Sequence, residues 1–191
     1  MIVIRHRVNT ARELLATPPE LGVEIDLREA GADIVVQHDP FAGGERFVDW
    51  LAHYRHRFLI LNVKSEGVEE PAVRLAAERG IDEFFVLDAS VPAMVKLARR
   101  GERRLAVRFS EVEPVEAVLA ARDVATWVWV DCFSDYPPRP RAWATVLAHY
   151  RACLVSPELQ GREAPTPEAA AAVAARFGAA AVCTKQPDRW R

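Results

Sequence analysis

The sequence predicts an α/β fold, a compact (β/α)8 TIM barrel with an extra β-hairpin strand after the second strand. Short runs of β-forming residues alternate with helical patterns along most of the chain, which is typical of parallel strands covered by helices. One pair of runs is separated by only about six residues, too few for a parallel crossover. Without that extra strand eight strands remain, and eight strand–helix units suggest a closed barrel.

Nine short runs of β-forming residues mark the predicted strands. The second and third runs are joined by a segment centred on Ala-Gly-Ala-Asp, residues 30–33, which predicts a tight reversal and an antiparallel hairpin. The nine runs cover residues 3–5, 23–27, 34–37, 58–63, 84–87, 105–109, 127–130, 153–155 and 180–183.

Helical patterns fall between most of these strands. Ser90 precedes one helix, and Thr166 followed by Pro167 begins another, which are typical helix starts. A (β/α)8 barrel usually has about 250 residues, so a chain of 191 residues requires some short helices, the first above all. An open doubly wound sheet is the alternative fold. The helical patterns cover residues 10–16, 45–54, 68–79, 91–99, 114–121, 139–149 and 166–177.

Composition indicates one ordinary globular domain over residues 1–191. Half of the residues are hydrophobic and the net charge is −2, from 25 basic and 27 acidic residues. There is no basic stripe with interleaved aromatic residues, so we expect no nucleic-acid partner. No segment approaches the roughly 18 apolar residues that a membrane-spanning helix needs. The three cysteines, Cys132, Cys153 and Cys183, are far apart, which favours buried thiols in a reduced, cytoplasmic protein.

Polar side chains collect near the carboxyl ends of several predicted strands, where a barrel builds its active site. In the strand 23–27, alternation places Glu24 and Asp26 on one face and the aliphatic residues on the other. Two adjacent carboxylates repel each other unless a partner lies between them. The polar set comprises His6, Arg7, Glu24, Asp26, His38, Asn62, Lys64, Arg108 and Asp131.

The order of these residues resembles the signature of the glycerophosphodiester phosphodiesterase family. That family shares a superfamily with phosphatidylinositol-specific phospholipases C, whose members are (β/α)8 barrels. The segments that carry the resemblance are His6-Arg7, Glu24-x-Asp26, His38-Asp39, Asn9-Thr10 as a shortened form of the family's Pro-Glu-Asn-Thr, Asn62-Val63-Lys64 in the place of the family's Glu-x-Lys, and Thr184-Lys185-Gln186-Pro187 near the end of the chain. In this order and spacing the first three pieces are fairly specific, whereas any one alone is weak.

The resemblance implies hydrolysis of a phosphodiester with His6 and His38 as general acid and base. The resemblance also implies that the strand carboxylates and residue 62 bind a divalent cation, Mg²⁺ or Ca²⁺. The charge of this cation would offset the electrostatic repulsion between Glu24 and Asp26. Arg7 and Lys64 would supply fixed positive charge to the phosphate. We expect the substrate to be a small phosphodiester, or a phosphorylated sugar or alcohol.

Two later positions are predicted to contact the substrate. Arg108 and Asp131 stand at the carboxyl ends of the strands 105–109 and 127–130. In a barrel these strand ends share the rim with the other polar residues.

Departures from the family pattern leave a second interpretation open. Asn62 stands where the family has a metal-ligating glutamate, which predicts weaker metal binding unless Glu66 or Asp131 compensates. Val8 replaces a glycine, and residues 40–44 replace a longer insertion. The chain could therefore be a degenerate barrel that binds a phosphorylated ligand or a partner without hydrolysis. Glu24 and Asp26 could also face solvent on an edge strand, with Arg28 as their partner.

Overall fold

The computed structural model describes residues 1–134, 136 and 138–191. The chain divides into two compact units, an N-terminal unit of Arg5–Glu102 and a C-terminal unit of Arg103–Arg191 together with Met1–Ile4. The prediction of one domain over residues 1–191 stays a prediction.

The described residues form ten strands and seven α-helices. The strands are β1 Ile2–Arg5, β2 Gly22–Ala30, β3 Asp33–Val36, β4 Glu45–Arg46, β5 Phe58–Val63, β6 Phe84–Leu87, β7 Ala106–Phe109, β8 Trp127–Val130, β9 Arg151–Val155 and β10 Ala181–Thr184. The helices are α1 Ala11–Leu15, α2 Phe47–Leu51, α3 Glu69–Glu78, α4 Val91–Arg99, α5 Val115–Ala120, α6 Pro140–Leu147 and α7 Pro167–Phe177. Short 3-10 helices follow β9 and β10, at Pro157–Gln160 and Pro187–Arg189.

In the N-terminal unit the strands pair in the order β4-β3-β2-β5-β6. β2 runs parallel to β5 with Asp26 opposite Asn62, and β5 runs parallel to β6. β2 and β3 form the predicted antiparallel hairpin, with Leu27 opposite Val36. This register matters for function because it brings the acidic residues of β2 beside the polar end of β5.

The core of the N-terminal unit is built on strands that are buried on both faces. All six residues of β5 are buried, as expected for a central parallel strand covered by helices. Trp50 of α2 is fully buried, and its indole Nε1 donates to the carbonyl oxygen of Val8 at 3.2 Å. The core therefore holds the segment that follows β1, where the first candidate site residues lie.

The C-terminal unit orders its strands as β1-β10-β9-β8-β7. The β10–β9, β9–β8 and β8–β7 pairs are parallel. Helix α7 starts as its sequence predicts, because the Thr166 hydroxyl accepts from the Ala169 amide, and it ends at Gly178 with a φ of 59°, a conformation that glycine adopts without strain. Cys132, Cys153 and Cys183 are buried.

The observed elements confirm the predicted α/β class, with eight strands in strand–helix alternation plus the extra hairpin. The first helix is short, as the chain length required: α1 has five residues. The helix expected over residues 45–54 is wrong at its start, because residues 45 and 46 form β4 against β3 and the helix covers only Phe47–Leu51. Within the described residues, no helix is both long enough and apolar enough to cross a membrane.

Candidate active site

The acidic pair of β2 lies inside the protein. Glu24 and Asp26 are both 0% exposed, so the interpretation that placed them in solvent is wrong. Arg28, their suggested partner, instead donates to the carbonyl oxygens of His38 at 2.9 Å and Lys64 at 3.0 Å. Arg28 thereby ties the end of the hairpin to the end of β5, and the pair must be balanced by other groups.

His6 and Arg7 supply the first of those groups. The backbone N–H of Arg7 donates to Glu24 Oε2 at 2.7 Å, and His6 Nε2 lies 3.8 Å from the same oxygen. Arg7 has a φ of 54°, a left-handed conformation that is uncommon for a residue with a side chain. Such strain concentrates at functional sites, where the surrounding structure holds it in place.

Arg7 also joins the acidic pair to the second histidine. Its guanidinium donates to His38 Nε2 and its Nε lies 3.7 Å from Asp26 Oδ2. An arginine offers only donors, so His38 Nε2 accepts, and Nδ1 carries the hydrogen that it donates to Asp39 Oδ1 at 2.8 Å. This hydrogen bond lowers the pKa of Asp39. The contacts therefore select one neutral tautomer of His38.

Asn62 and Lys64 complete the cluster from β5. Asn62 is 7% exposed, and its Nδ2 donates to Glu24 Oε1 at 2.8 Å. Lys64 Nζ donates to Asn62 Oδ1 at 2.8 Å and lies 3.6 Å from Asp26 Oδ1 and 3.3 Å from Asp88 Oδ2. The structure thus brings together seven of the nine predicted site residues, which are His6, Arg7, Glu24, Asp26, His38, Asn62 and Lys64.

Two residues of the cluster were not among the predicted site residues. Asn9 donates to Asp26 Oδ2 at 2.8 Å and accepts from the Asp26 backbone N–H at 3.0 Å. Asp88 follows β6 directly, has a φ of 62° and pairs with Lys64. The sequence signal for Asp88 is its position at the carboxyl end of a strand, because β6 runs parallel to β5 and their carboxyl ends meet at one edge of the sheet.

Burial changes the acidity of Glu24. Loss of solvent and the negative charge of Asp26 together raise the pKa of Glu24 from 4.5 to about 7, against the opposing effect of the Asn62 and Arg7 hydrogen bonds and the Lys64 charge. Near neutral pH the carboxyl group is therefore partly protonated, which reduces the repulsion within the pair.

This shift predicts a loss of stability as pH rises. The folded state binds the Glu24 proton more tightly than the unfolded chain does. The resulting stabilisation of the folded state is fully present below pH 4.5 and is lost as pH rises through about 7. Between pH 5 and 8 we expect the Glu24 titration to lower the free energy of unfolding by roughly 2–3 kcal/mol. Urea denaturation of the wild type and Glu24→Gln across that range isolates the effect, because other titrations cancel in the difference. Parallel pH profiles for the two proteins would contradict it.

The predicted metal ligands lie together, but their donor atoms do not fit a divalent cation. Among the described residues no group of three or more His, Cys, Asp or Glu side chains could hold a metal ion. The Asn62 carbonyl oxygen, which would be the third ligand, accepts from Lys64. Glu66, suggested as a compensating ligand, is exposed. The one oxygen of the pair without a hydrogen bond, Asp26 Oδ1, faces the Lys64 ammonium at 3.6 Å, so each oxygen that a hard cation would need already faces a donor or a cation. The metal stays a prediction.

Arg108 and Asp131 lie in the C-terminal unit and pair with each other. Arg108 Nη1 donates to Asp131 Oδ2 at 2.5 Å, and Asp131 Oδ1 accepts from Trp129 Nε1 at 3.1 Å and Gln160 Nε2 at 2.9 Å. Burial raises the pKa of Asp131, and Arg108 opposes that effect. Asp131 thus positions the Arg108 guanidinium, and a contact of either residue with substrate stays a prediction.

The segment that resembles the family's closing motif is also held by a carboxylate. Glu158 Oε1 accepts from the Thr184 hydroxyl at 2.6 Å and from the Lys185 backbone N–H at 3.0 Å. These bonds keep the pKa of Glu158 below its usual value although burial opposes them. Glu158 therefore has a structural role in the loop that follows β9.

A cavity of about 710 Å³ opens beside Arg7. Its lining is both polar and apolar and comes from the loop after β1 and from the residues around β3 and β4. The lining residues include Arg7, Asn9, Thr10, Glu13, Gln37 and Glu45. These polar side chains are exposed or half-buried, so the cavity is open to solvent and offers hydrogen-bonding groups to a polar ligand.

Comparison with known proteins gives similarity in structure alone. No protein-family model and no curated protein matches the sequence. A glycerophosphoryl diester phosphodiesterase from Parabacteroides distasonis is similar in structure at 14% identity and a TM-score of 0.66, over 99% of this chain and 84% of that one. A glycerophosphodiester phosphodiesterase from Agrobacterium tumefaciens gives 13% identity and a TM-score of 0.66, over 99% of this chain and 97% of that one.

A protein of different activity shares the fold. A mutant tryptophan synthase α-subunit from Pyrococcus furiosus is 15% identical with a TM-score of 0.57, over 98% of this chain and 88% of that one. These similar structures are TIM barrels, which supports the predicted barrel class over the doubly wound alternative. Because one fold carries several activities, the function must be argued from the site.

Proposed function

We propose that this chain is a divergent glycerophosphodiester phosphodiesterase that hydrolyses small phosphodiesters. One observation carries the proposal: Arg7 contacts both His38 and the buried acidic pair, and His6 lies 3.8 Å from Glu24. The two histidines, the arginine and the acids were predicted from a family signature, and they meet within one unit. The similar structures named glycerophosphodiester phosphodiesterases support the same activity.

The chemistry that these side chains support is proton transfer at a bound phosphate. The oxygen of water bonds to phosphorus and the bond from phosphorus to the alcohol oxygen breaks; where an internal hydroxyl attacks instead, the alcohol leaves a cyclic phosphodiester, which water then opens. A base takes the proton of the attacking group and an acid gives one to the leaving alcohol. We assign the base to His38, because Asp39 holds its Nδ1 hydrogen, and its Nε2 lone pair, which accepts from Arg7, can take a proton once the Arg7 guanidinium turns to the phosphate. His6 then supplies the proton to the leaving group.

The cationic groups have a separate role. Arg7 is 44% exposed at its side chain, so its guanidinium can meet a phosphate while its backbone stays bonded to Glu24. A planar guanidinium group can donate two parallel hydrogen bonds to two oxygens of one phosphate. Lys64, 18% exposed, adds positive charge next to the same acids. Negative charge that develops on the phosphate in the transition state is stabilised by these fixed charges.

The experiment is a turnover assay on glycerophosphodiesters with different alcohols. Released alcohol and glycerol phosphate are measured for the wild type and for His53→Ala, a control in the same unit whose histidine is exposed. We expect both proteins to release the alcohol at equal rates and to leave phosphomonoesters intact. No release by the wild type, in EDTA or with added Mg²⁺, Ca²⁺ or Mn²⁺, would reject hydrolysis.

A second candidate function is binding of a phosphorylated ligand without hydrolysis. It is favoured by Asn62, which replaces an acidic family position and takes part in an amide–ammonium bond with Lys64. A rise in melting temperature with glycerol 3-phosphate, together with no turnover of any diester, would support this function over the first.

A further inference from the structure

The donors around the acidic pair already satisfy most of its oxygens. Glu24 Oε1 accepts from Asn62 at 2.8 Å, and Glu24 Oε2 accepts from the Arg7 backbone at 2.7 Å. Asp26 Oδ2 accepts from Asn9 at 2.8 Å. The remaining oxygen, Asp26 Oδ1, is buried without a hydrogen bond. The Lys64 ammonium lies 3.6 Å from this oxygen.

Asn62 is oriented by its two neighbours. Its amide NH₂ faces the Glu24 carboxylate and its carbonyl oxygen faces the Lys64 ammonium. The opposite orientation would put the carbonyl oxygen against a carboxylate and the NH₂ against an ammonium, so the network decides the assignment. The oxygen that asparagine could offer to a metal is thus already bonded to a cation.

Lys64 forms ion pairs with two carboxylates of the site. Its Nζ lies 3.6 Å from Asp26 Oδ1 of β2 and 3.3 Å from Asp88 Oδ2 after β6, so one ammonium at the end of β5 faces carboxylates from the two strands that flank β5. A divalent ion placed among the same oxygens would repel this ammonium at short range, in a site where little water screens the charges. A glutamate at position 62 would add a negative charge, and the present asparagine does not.

We propose that the Lys64 ammonium, fixed by Asn62, takes the place of a divalent cation in this site, so that the chain binds its phosphate ligand without a metal. The inference rests on the proposed function for the identity of the ligand. It follows from hydrogen bonds and ion pairs among residues of one unit. It also gives a reason for the exchange at position 62, because an asparagine carbonyl can accept from the lysine without adding charge.

The test is metal binding, measured apart from activity. Protein stripped with EDTA is titrated with Mg²⁺, Ca²⁺ and Mn²⁺ by calorimetry, and its melting temperature is followed with each ion. We expect no saturable binding below about 1 mM and no change in melting temperature for the wild type. Asn62→Glu should bind at least one ion about tenfold more tightly or better. The glutamine of Asn62→Gln has the side-chain length of glutamate without its charge. This variant should bind metal no more tightly than the wild type.

Two outcomes would overturn the inference. The first is saturable metal binding by the wild type in the micromolar range, with a matching rise in melting temperature. It would mean that Lys64 does not replace the cation. This measurement uses the wild type alone, so it holds even if a variant fails to fold. A folded Asn62→Glu protein with no gain over Asn62→Gln means that residue 62 does not control the site. Neither result depends on turnover, so each is distinct from the failure of hydrolysis itself.

Discussion

Replacing His38 by alanine is expected to lower kcat by about 10²–10⁴, the effect of losing a general base. The imidazole is held by Arg7 on one nitrogen and Asp39 on the other, so the variant loses both the proton acceptor and the partner of Arg7. KM should change less than kcat, because Arg7 and Lys64 still attract the phosphate. Steady-state kinetics on a glycerophosphodiester measure both constants.

The control for this change is His53→Ala, which removes an exposed histidine of the same unit. It should keep the wild-type kcat. Wild-type kcat in His38→Ala would reject the assignment of the base.

Replacing Lys64 by methionine is expected to lower the free energy of unfolding by about 3 kcal/mol, because the buried oxygen Asp26 Oδ1 loses the ammonium that faces it and Arg7 contacts only the other oxygen, Oδ2. Asp26 is 0% exposed, so water cannot take over the role of the ammonium. Asn62 also loses the donor to its carbonyl oxygen. Urea denaturation at pH 8 gives the change in stability. Where the variant remains folded, kcat should also fall, by about 10²–10³, because a preorganised charge is lost.

Lys96→Met is the matched control in the same unit. Lys96 pairs with Glu70 at 3.0 Å, but its side chain is 61% exposed, and an exposed ion pair contributes about 0–1 kcal/mol. We expect its stability and kcat to match the wild type. Equal losses in the two variants would show that the Lys64 effect is not specific to the buried cluster.

Much of the architecture could be predicted from local pattern. The hairpin followed from the gap between two strands, since so few residues cannot make a parallel crossover. The side on which Glu24 and Asp26 lie followed from the two-residue period of a strand. The start of α7 followed from Thr166, whose hydroxyl accepts from the Ala169 amide. Each of these features depends on residues close together in the sequence.

The contacts within the site could not be predicted in the same way. The bond between Asn62 and Glu24 depends on the register of β2 against β5, in which Asp26 lies opposite Asn62. Local pattern does not specify the register between two strands 30 or so residues apart, because long-range packing decides it. For the same reason Arg28 was paired with the acids, whereas it binds two backbone carbonyl oxygens. The family signature supplied the residues but not their hydrogen bonds.

Similar structures fix the fold and leave the chemistry to the site. The chain is similar at TM-scores of 0.66 and 0.57 to proteins named as a phosphodiesterase and as a tryptophan synthase subunit. A (β/α)8 scaffold carries many reactions through the residues at its strand ends. The contacts of His6 and Arg7 with the acidic pair, and of Arg7 with His38, therefore weigh more in the proposal than the likeness of the backbone.

The most direct test of the central claim is a titration of the five histidine rings with glycerol 3-phosphate, followed by ¹H–¹⁵N NMR of the imidazole nitrogens. The central claim is that His6 and His38 face one phosphate-binding site above the buried acids. It predicts that the His6 and His38 signals shift together with a single dissociation constant, while His53, His56 and His149 do not move. Shifts confined to the latter three, or no shifts at saturating ligand, would contradict it.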